Sequence, residues 1–242
     1  MSDVVINYLK SARKNDSIAQ FNLGYCYGYG EGVPQDCEKA FEWYFKSADN
    51  GYSKGQNYLG GCYFYGIGTA QDFNQAFGWY LKSANNGYAD GQNSLGECYY
   101  YGKGTTHDLS ECYYYGRGTR QDYEKAFEWF SKSANGGFPK GQNNLGECYY
   151  NGKGTKQDYD KAFECFALSA DDECGEGQNN LGECYYYGRG IQQNYKKAFE
   201  WYSKSAANEC AEGKNNIGEC YYYGRGIQQN YEKAFEWNKT KL

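Results

Sequence analysis

Glutamate, asparagine and tyrosine recur in this 242-residue chain at spacings that could do chemistry. The glutamates are Glu97, Glu111, Glu147, Glu183 and Glu219. Asn144, Asn180 and Asn216 stand three positions before three of them. Tyr101, Tyr115, Tyr187 and Tyr223 stand four positions after, with Asn151 in place of the remaining tyrosine. Offsets of three and four share one face of a helix, so these residues form a ladder of carboxylates, amides and phenols. The chemistry such a ladder suits is recognition. Carboxylates favour Lys or Arg in an extended peptide, and tyrosine supplies contact area at low entropic cost. A second tyrosine column, Tyr100, Tyr114, Tyr150, Tyr186 and Tyr222, lies toward the flank. Arg117, Arg189 and Arg225, with Lys103 and Lys153, line a turn edge, where they balance the glutamates or interact with the preceding helix C-terminus. A plainer reading stays open: a glutamate column is also what a solvated helix face looks like, and duplicated repeats keep identical residues with no binding role.

Nucleophilic and metal chemistry find little support. Seven of the eleven cysteines form a column, Cys26, Cys62, Cys98, Cys112, Cys148, Cys184 and Cys220, each three residues after a Leu or Ile. Packed helices lie about 8–10 Å apart and successive repeats further still, whereas a disulfide needs Cα atoms within roughly 7 Å. The column therefore cannot pair with itself, and it reads as small hydrophobes in a reducing cytosol. Cys174/Cys184 and Cys210/Cys220 are the recurrent candidates for bridges. With no CxxC and one histidine, no zinc site is expected. The recurrent Gly-x-Gly (Gly188, Gly190) follows a helix and lacks a Lys-Ser or Lys-Thr, so it is not read as a phosphate loop. The chain has one histidine, His107, in the irregular joint, no unmatched acid pair, and repeated cysteines without histidine partners, so no catalytic constellation is read and no enzyme and no cofactor is expected.

These columns need elements to hold them, and the sequence repeats to supply them. Asn179–Trp201 and Asn215–Trp237 differ at two positions, thirty-six residues apart. Leu-Gly anchors at 23, 59, 95, 145 and 181, with Ile217-Gly218, mark the period. It is 36 except between Leu95 and Leu145, where a 14-residue half-sentence, "LSECYYYGRG" from Leu109, is added. Each unit predicts two helices. Helix A runs from about Ile18 to Tyr29 in the first unit, with Leu23, Cys26 and Tyr27 on a buried stripe, and Gly24 marks where a neighbouring backbone comes close. Helix B starts at Asp36, Asp72, Asp122, Asp158, Asn194 or Asn230 as cap, buries Ala40, Tyr44 and Ala48, and ends at Gly51, Gly87 or Gly137. A two-helix unit cannot bury its apolar faces alone, so neighbours stack. The fold class expected is all-α, an α-solenoid of antiparallel helix pairs, written in blocks 1–108 and 109–242 of one solenoid.

The consensus "LGxCYxxGxGxxxDxxKAFEWYxKSAxxG" resembles the Sel-1-like repeat, a relative of the tetratricopeptide repeat, from about Asn7 to Trp237. That resemblance implies a right-handed superhelix with helix A on the concave surface, and a non-catalytic scaffold or adaptor binding a peptide or protein domain there, often in signalling or membrane-associated complexes. Some cysteine-rich relatives imply an alternative, binding or hydrolysis of cell-wall-type ligands. Many members have Ala where this chain has Gly55, Gly91, Gly141, Gly177 and Gly213, which should loosen the helix A starts. The added half-sentence predicts a short helix from about Leu109 to Tyr115. The chain starts and stops inside repeats, as a fragment would, and an uncapped repeat leaves apolar surface for self-association.

Composition sets the remaining bounds. The net charge of −5 gives no global pull toward nucleic acid or anionic lipid. No run of 18 apolar residues occurs, so no membrane span is expected. "MSDVVINYLKSARKNDS" lacks an apolar core behind a basic start, so no secretory signal is read and a cytoplasmic location is expected.

Overall fold

The computed structural model describes residues 2–104 and 121–239, and thirteen α-helices lie among them with no strand. They are α1 (Asp3–Ala12), α2 (Ser17–Tyr29), α3 (Cys37–Asp49), α4 (Ser53–Tyr65), α5 (Phe73–Asn85), α6 (Ala89–Tyr101), α7 (Tyr123–Asn135), α8 (Pro139–Asn151), α9 (Tyr159–Asp171), α10 (Gly175–Tyr187), α11 (Tyr195–Ala207), α12 (Ala211–Tyr223) and α13 (Tyr231–Lys239). The even-numbered helices are helix A, and the odd-numbered ones are helix B. Adjacent helices pack as a repeated solenoid in each of two compact units, Met1–Trp129 and Phe130–Leu242. Within each unit successive A helices also approach one another directly, α2 with α4 and α4 with α6 in the first, α8 with α10 and α10 with α12 in the second. No successive pair of B helices described comes as close.

The caps form as the sequence predicts. Asp36, Asp158 and Asn194 each accept from the amide three residues on, and Asp72 accepts from Asn74 and Gln75. Each core cluster centres on a helix B and the helix A that follows, and two also take in a residue of the preceding helix A, Phe21 and Tyr186. Ala162, Phe166 and Ala170 of α9, for instance, close on Leu181 and Cys184 of α10.

Two glycine columns do something other than expected. Gly24, Gly60, Gly146 and Gly182 admit a neighbouring side chain rather than a backbone: a Cβ on Gly182 would lie 2.6 Å from the Tyr202 ring, and one on Gly24 2.5 Å from Tyr44. Gly55, Gly91, Gly141, Gly177 and Gly213 lie inside helix A starts that begin in register. They make room for fully buried serines, Ser47, Ser83, Ser133, Ser169 and Ser205. Backbone does come close at Gly190, at φ +70°, where a Cβ would collide with the Tyr159 carbonyl one repeat back.

The 14-residue addition lies between a helix A and a helix B that pair as if it were absent. In ordinary units the helix B cap donates its amide to the helix A carbonyl, as Asp158 does to Tyr149 at 2.9 Å. Asp122 does the same to Tyr99 at 2.9 Å. Helix α7 begins 22 positions after Tyr101, against the 8 positions between Tyr65 and Phe73. The expected helix at 109–115, with Glu111, Cys112, Tyr114, Tyr115, Arg117 and His107, lies outside the described residues.

Among the described residues two buried oxygens have no hydrogen-bond partner, Asn57 Oδ1 and Gln142 Oε1, and departures from the repeat explain both. Asn50, Asn86 and Asn208 donate to the Oε1 of the glutamine thirty residues before, at 2.8, 2.9 and 3.0 Å. For Gln142 that position is Asp172, which in its ionised form has no N–H to give. Asn143 and Asn179 accept from an asparagine thirty-seven residues on, whereas Asn57 finds Ser94 there, a shorter side chain. Replacing Asp172→Asn should therefore stabilise the protein by about 1 kcal/mol, the worth of one restored buried hydrogen bond. Thermal unfolding measures this, with Asp172→Ala, which removes the charge but adds no donor, as the control that should show no comparable gain.

Candidate functional site

The residues that could do chemistry converge in the second unit, on the A helices α8, α10 and α12. Those helices are ordinary in their starts, with no side-chain cap on α8, α10 or α12, and in their ends, where Gly152, Gly188 and Gly224 take the left-handed conformation. Because consecutive A helices approach directly, polar side chains on this face reach from one repeat to the next.

An amide–carboxylate ladder results. Asn180 donates to Asn143 Oδ1 at 2.9 Å and reaches Glu147 Oε1 at 3.5 Å. Asn143 donates to the same Glu147 oxygen at 3.1 Å. One repeat on, Asn216 donates to Asn179 Oδ1 at 2.8 Å. In the first unit Asn93 donates to Glu97 at 3.1 Å. Asn144 is half-buried on α8, and Glu219 is exposed. Sequence reading placed Asn180 and Asn216 on the site but missed their acceptors, Asn143 and Asn179. The doubled asparagine of "QNN" was the available signal, since the second amide reaches back to the preceding helix A and the first accepts from the helix A that follows.

The glutamates are not a freely solvated row. Glu147 and Glu183 are half-buried. Burial is the first cause that raises both carboxyls above the ordinary range. For Glu147 the Asn143 and Asn180 amides pull the other way. For Glu183 the Asn179 amide does so, while the like charges of Glu147 and Glu219 push it up further. Three carboxylates thus stand in one column, two of them desolvated.

The tyrosines divide. Tyr101, Tyr187 and Tyr223 are exposed, as are Tyr29 and Tyr65 at the same register, which the sequence reading passed over. In the second column Tyr186 is buried and Tyr100 and Tyr150 are half-buried, whereas Tyr222 is exposed. Arg189 donates to Tyr150, and Arg225 to Tyr186, in each case from one repeat to the repeat before. The phenols of the preceding repeat hold Arg189 and Arg225, whereas Lys153 does balance a glutamate, its charge lowering the Glu147 carboxyl.

The cysteines are packing. Cys26, Cys62, Cys98, Cys148, Cys184 and Cys220 are buried, and burial pushes the Cys62, Cys98, Cys148 and Cys184 thiols up to about 12. All ten described cysteines are free. The Cys174/Cys184 and Cys210/Cys220 bridges do not form: Cys184 and Cys220 point into the core, while Cys174 and Cys210 bond to Glu176 and Glu212 at the helix starts. Among the described residues no cluster of His, Cys, Asp or Glu could hold a metal ion, and no helix is long and apolar enough to cross a membrane.

A family model described as the Sel1 repeat matches residues 17–52, 53–88, 89–111, 107–138, 139–173, 175–210 and 211–237. Two of its segments overlap around the 14-residue addition. Among solved structures, a Sel1 repeat protein from Oxalobacter formigenes is 27% identical, with 99% of this chain and 96% of that chain covered and a TM-score of 0.82. The protein c5321, a protective antigen present in uropathogenic Escherichia coli strains, is 29% identical with a TM-score of 0.76. The alignment covers 97% of this chain but spans 47% of that one. Immunity protein Pa5087 from Pseudomonas aeruginosa shares the fold, at 19% identity over 86% of this chain and 75% of that one, with a TM-score of 0.55. No curated protein matches the chain.

The raised carboxyls carry a pH dependence. A glutamate whose folded pKa is raised favours the folded state most below its unfolded value and loses that contribution as pH rises through the folded one. At neutral pH the ionised Glu183 therefore costs stability. Replacing Glu183→Gln should raise the unfolding temperature at pH 7, and the advantage over the unchanged protein should shrink toward zero as pH falls to the ordinary glutamate value, about 4.3. Paired melts across that range read the difference directly.

Proposed function

Because the chain belongs to the Sel1-repeat family, whose members generally mediate protein–protein interaction, we propose that it is a non-catalytic adaptor whose helix A face in the second unit receives an extended, basic peptide or protein segment. The observation that carries this reading is the column Glu147, Glu183 and Glu219, in which two carboxylates are partly withdrawn from water and repel one another. Carboxyls raised by burial together with a neighbouring like charge are candidates for functional positions. A Lys or Arg laid along the column would relieve the repulsion and replace lost hydration. The exposed Tyr187 and Tyr223 add aromatic area at one edge, and the Asn180 and Asn216 amides fix the column's register.

Charge is the source of specificity in this reading. The first unit offers a different surface on α2 and α4, because Tyr25 and Gly61 stand where the second unit has glutamate, and among its described A helices only α6 carries one there, Glu97. We assign the basic ligand to the second unit for that reason. A reducing, cytoplasmic setting and a role in signalling assemblies belong to the same proposal. The free thiols support the setting, and the role rests on the family alone.

The test is selection of peptides from a random library, followed by isothermal titration. Selected ligands should be rich in Lys and Arg, bind less tightly as salt is raised, and lose at least about tenfold in affinity against a Glu147→Lys, Glu183→Lys, Glu219→Lys variant of unchanged helicity, a discrimination of about 1.4 kcal/mol or more. Ligands that bind both proteins equally would move the site off this face.

A further inference from the structure

A polar station recurs at the start of helix A, where a glutamine oxygen meets the end of the helix B that follows. In three repeats an asparagine amide fills it. Asn50 donates to Gln20 Oε1 at 2.8 Å, Asn86 to Gln56 Oε1 at 2.9 Å, and Asn208 to Gln178 Oε1 at 3.0 Å. Asn208 Nδ2 also donates to the Glu173 carbonyl at 3.0 Å, five residues before that glutamine. In α12 a lysine takes the glutamine's place. Lys214 Nζ donates to the Glu209 carboxylate, again five residues before. The station therefore holds an amide in some repeats and a full positive charge in another.

Gln142 breaks the pattern, because Asp172 stands thirty residues on. The backbone does not change with the residue: Asp172 lies at φ −85° and ψ 21°, and Asn208 at φ −86° and ψ 25°. Both terminal atoms of an aspartate are oxygens, so a carboxylate oxygen takes the place of the amide nitrogen. Three oxygens then share the station: Gln142 Oε1, the Asp172 carboxylate and, five residues before the glutamine, the Gly137 carbonyl. Gln142 is 8% exposed, and its Oε1 accepts no hydrogen bond. Turning the amide over does not relieve this. Gln20, Gln56, Gln92 and Gln178 use Nε2 to reach the carbonyl eight residues back, at 3.2 to 3.4 Å. A turned Gln142 would present its oxygen to the corresponding carbonyl, that of Ala134.

The surroundings have the same sign. Asp171, Glu173 and Glu176 flank Asp172, and all are exposed. Lys140 lies 4.0 Å from Glu176. One repeat on, Ala207 and Asn208 stand where Asp171 and Asp172 do, so this repeat alone of the two adds a pair of carboxylates.

We propose that Gln142, Asp172 and Gly137 form a site for a hard metal cation, calcium rather than magnesium, that ties the end of α9 to the start of α8. A carboxylate, a side-chain amide oxygen and a backbone carbonyl are the ligand types calcium takes, with water completing its shell. Magnesium demands a stricter octahedron and parts with its water reluctantly. The site holds one carboxylate among neutral oxygens, so it is not a cluster of His, Cys, Asp or Glu. It is separate from the glutamate column and stands if that column binds nothing.

The probe is calcium chloride, titrated into the full chain at an ionic strength fixed with a tetramethylammonium salt. Nitrogen-15 nuclear magnetic resonance follows the Gln142 side-chain amide. That signal should shift saturably with a midpoint of about 10⁻⁴ to 10⁻³ M, the weak end of calcium modules, and magnesium should need at least about tenfold more. The unfolding temperature should rise with calcium as well. Replacing Asp172→Asn restores the amide of the other repeats, so the variant stays folded but should lose both responses. Replacing Gln142→Lys, which copies Lys214, places an ammonium in the station and should also lose both. Replacing Asp171→Asn should keep them. A Gln142 amide that does not move at tens of millimolar calcium overturns the proposal, as does a shift that survives Asp172→Asn. Shifts confined to the carboxyls of Asp171, Glu173 and Glu176 would mean diffuse attraction to an acidic surface and overturn it too.

Discussion

One small contact holds the repeats in register: a buried helix B serine wedged between two A helices. Ser169 donates to the Pro139 carbonyl at the start of its own unit's helix A, and it lies against Gly177 of the next. Ser47, Ser83 and Ser205 repeat the bond at 2.7 Å to Ser17, Ser53 and Gly175. Each hydroxyl satisfies a helix-start carbonyl on one side and demands a glycine on the other. A side chain larger than hydrogen at Gly177 would collide with Ser169, and the gap that fixes the A–A approach would widen. Everything proposed for the A face needs that approach, because the asparagine ladder spans it.

A second layer of contacts runs along the turn edge. Helix B phenylalanines stack on tyrosines one repeat on, Phe163 on Tyr185 and Phe199 on Tyr221, at 5.6 Å and near right angles. Arg189 and Arg225 stack on the tyrosines beside them. Tyrosine is so common here because it closes both seams, ring against ring inside and hydroxyl toward a glutamine, an arginine or water. The same residue type is therefore structural in one column and exposed in the next, four residues or fewer apart.

The helix pairs were legible because period, caps and terminal glycines all state the same architecture. Asp158 and Asn194 say where helix B starts, and Gly188 says where helix A stops. The purpose of the interior glycines was not legible. Gly24 and Gly55 signal a close approach, but the approaching groups, a tyrosine ring and a serine hydroxyl, come from elements some 20 residues on and 8 residues back. The arginine–tyrosine contacts were hidden for the same reason, since Arg189 and Tyr150 stand 39 residues apart. The glutamate column was visible as a column. Its desolvation was not, because burial depends on how near the next A helix comes. Glu173 and Glu209, at φ 61° and 60° where earlier units have Gly51 and Gly87, show the opposite case. There the sequence departs from the repeat and the backbone follows the repeat regardless, because nothing lies within 4 Å of the glycines they replace.

The central functional claim is that the second unit keeps carboxylates poised for a cationic partner. The direct measurement is a pH titration of the Glu147 and Glu183 side-chain carboxyls by carbon-13 nuclear magnetic resonance, with and without a basic ligand selected for this face. The account requires both carboxyls to titrate above the ordinary glutamate value of about 4.3 in the free protein and to fall when the ligand binds. Carboxyls that titrate at or below that value in the free protein, or that do not move on binding, would make the column a solvated surface and contradict it.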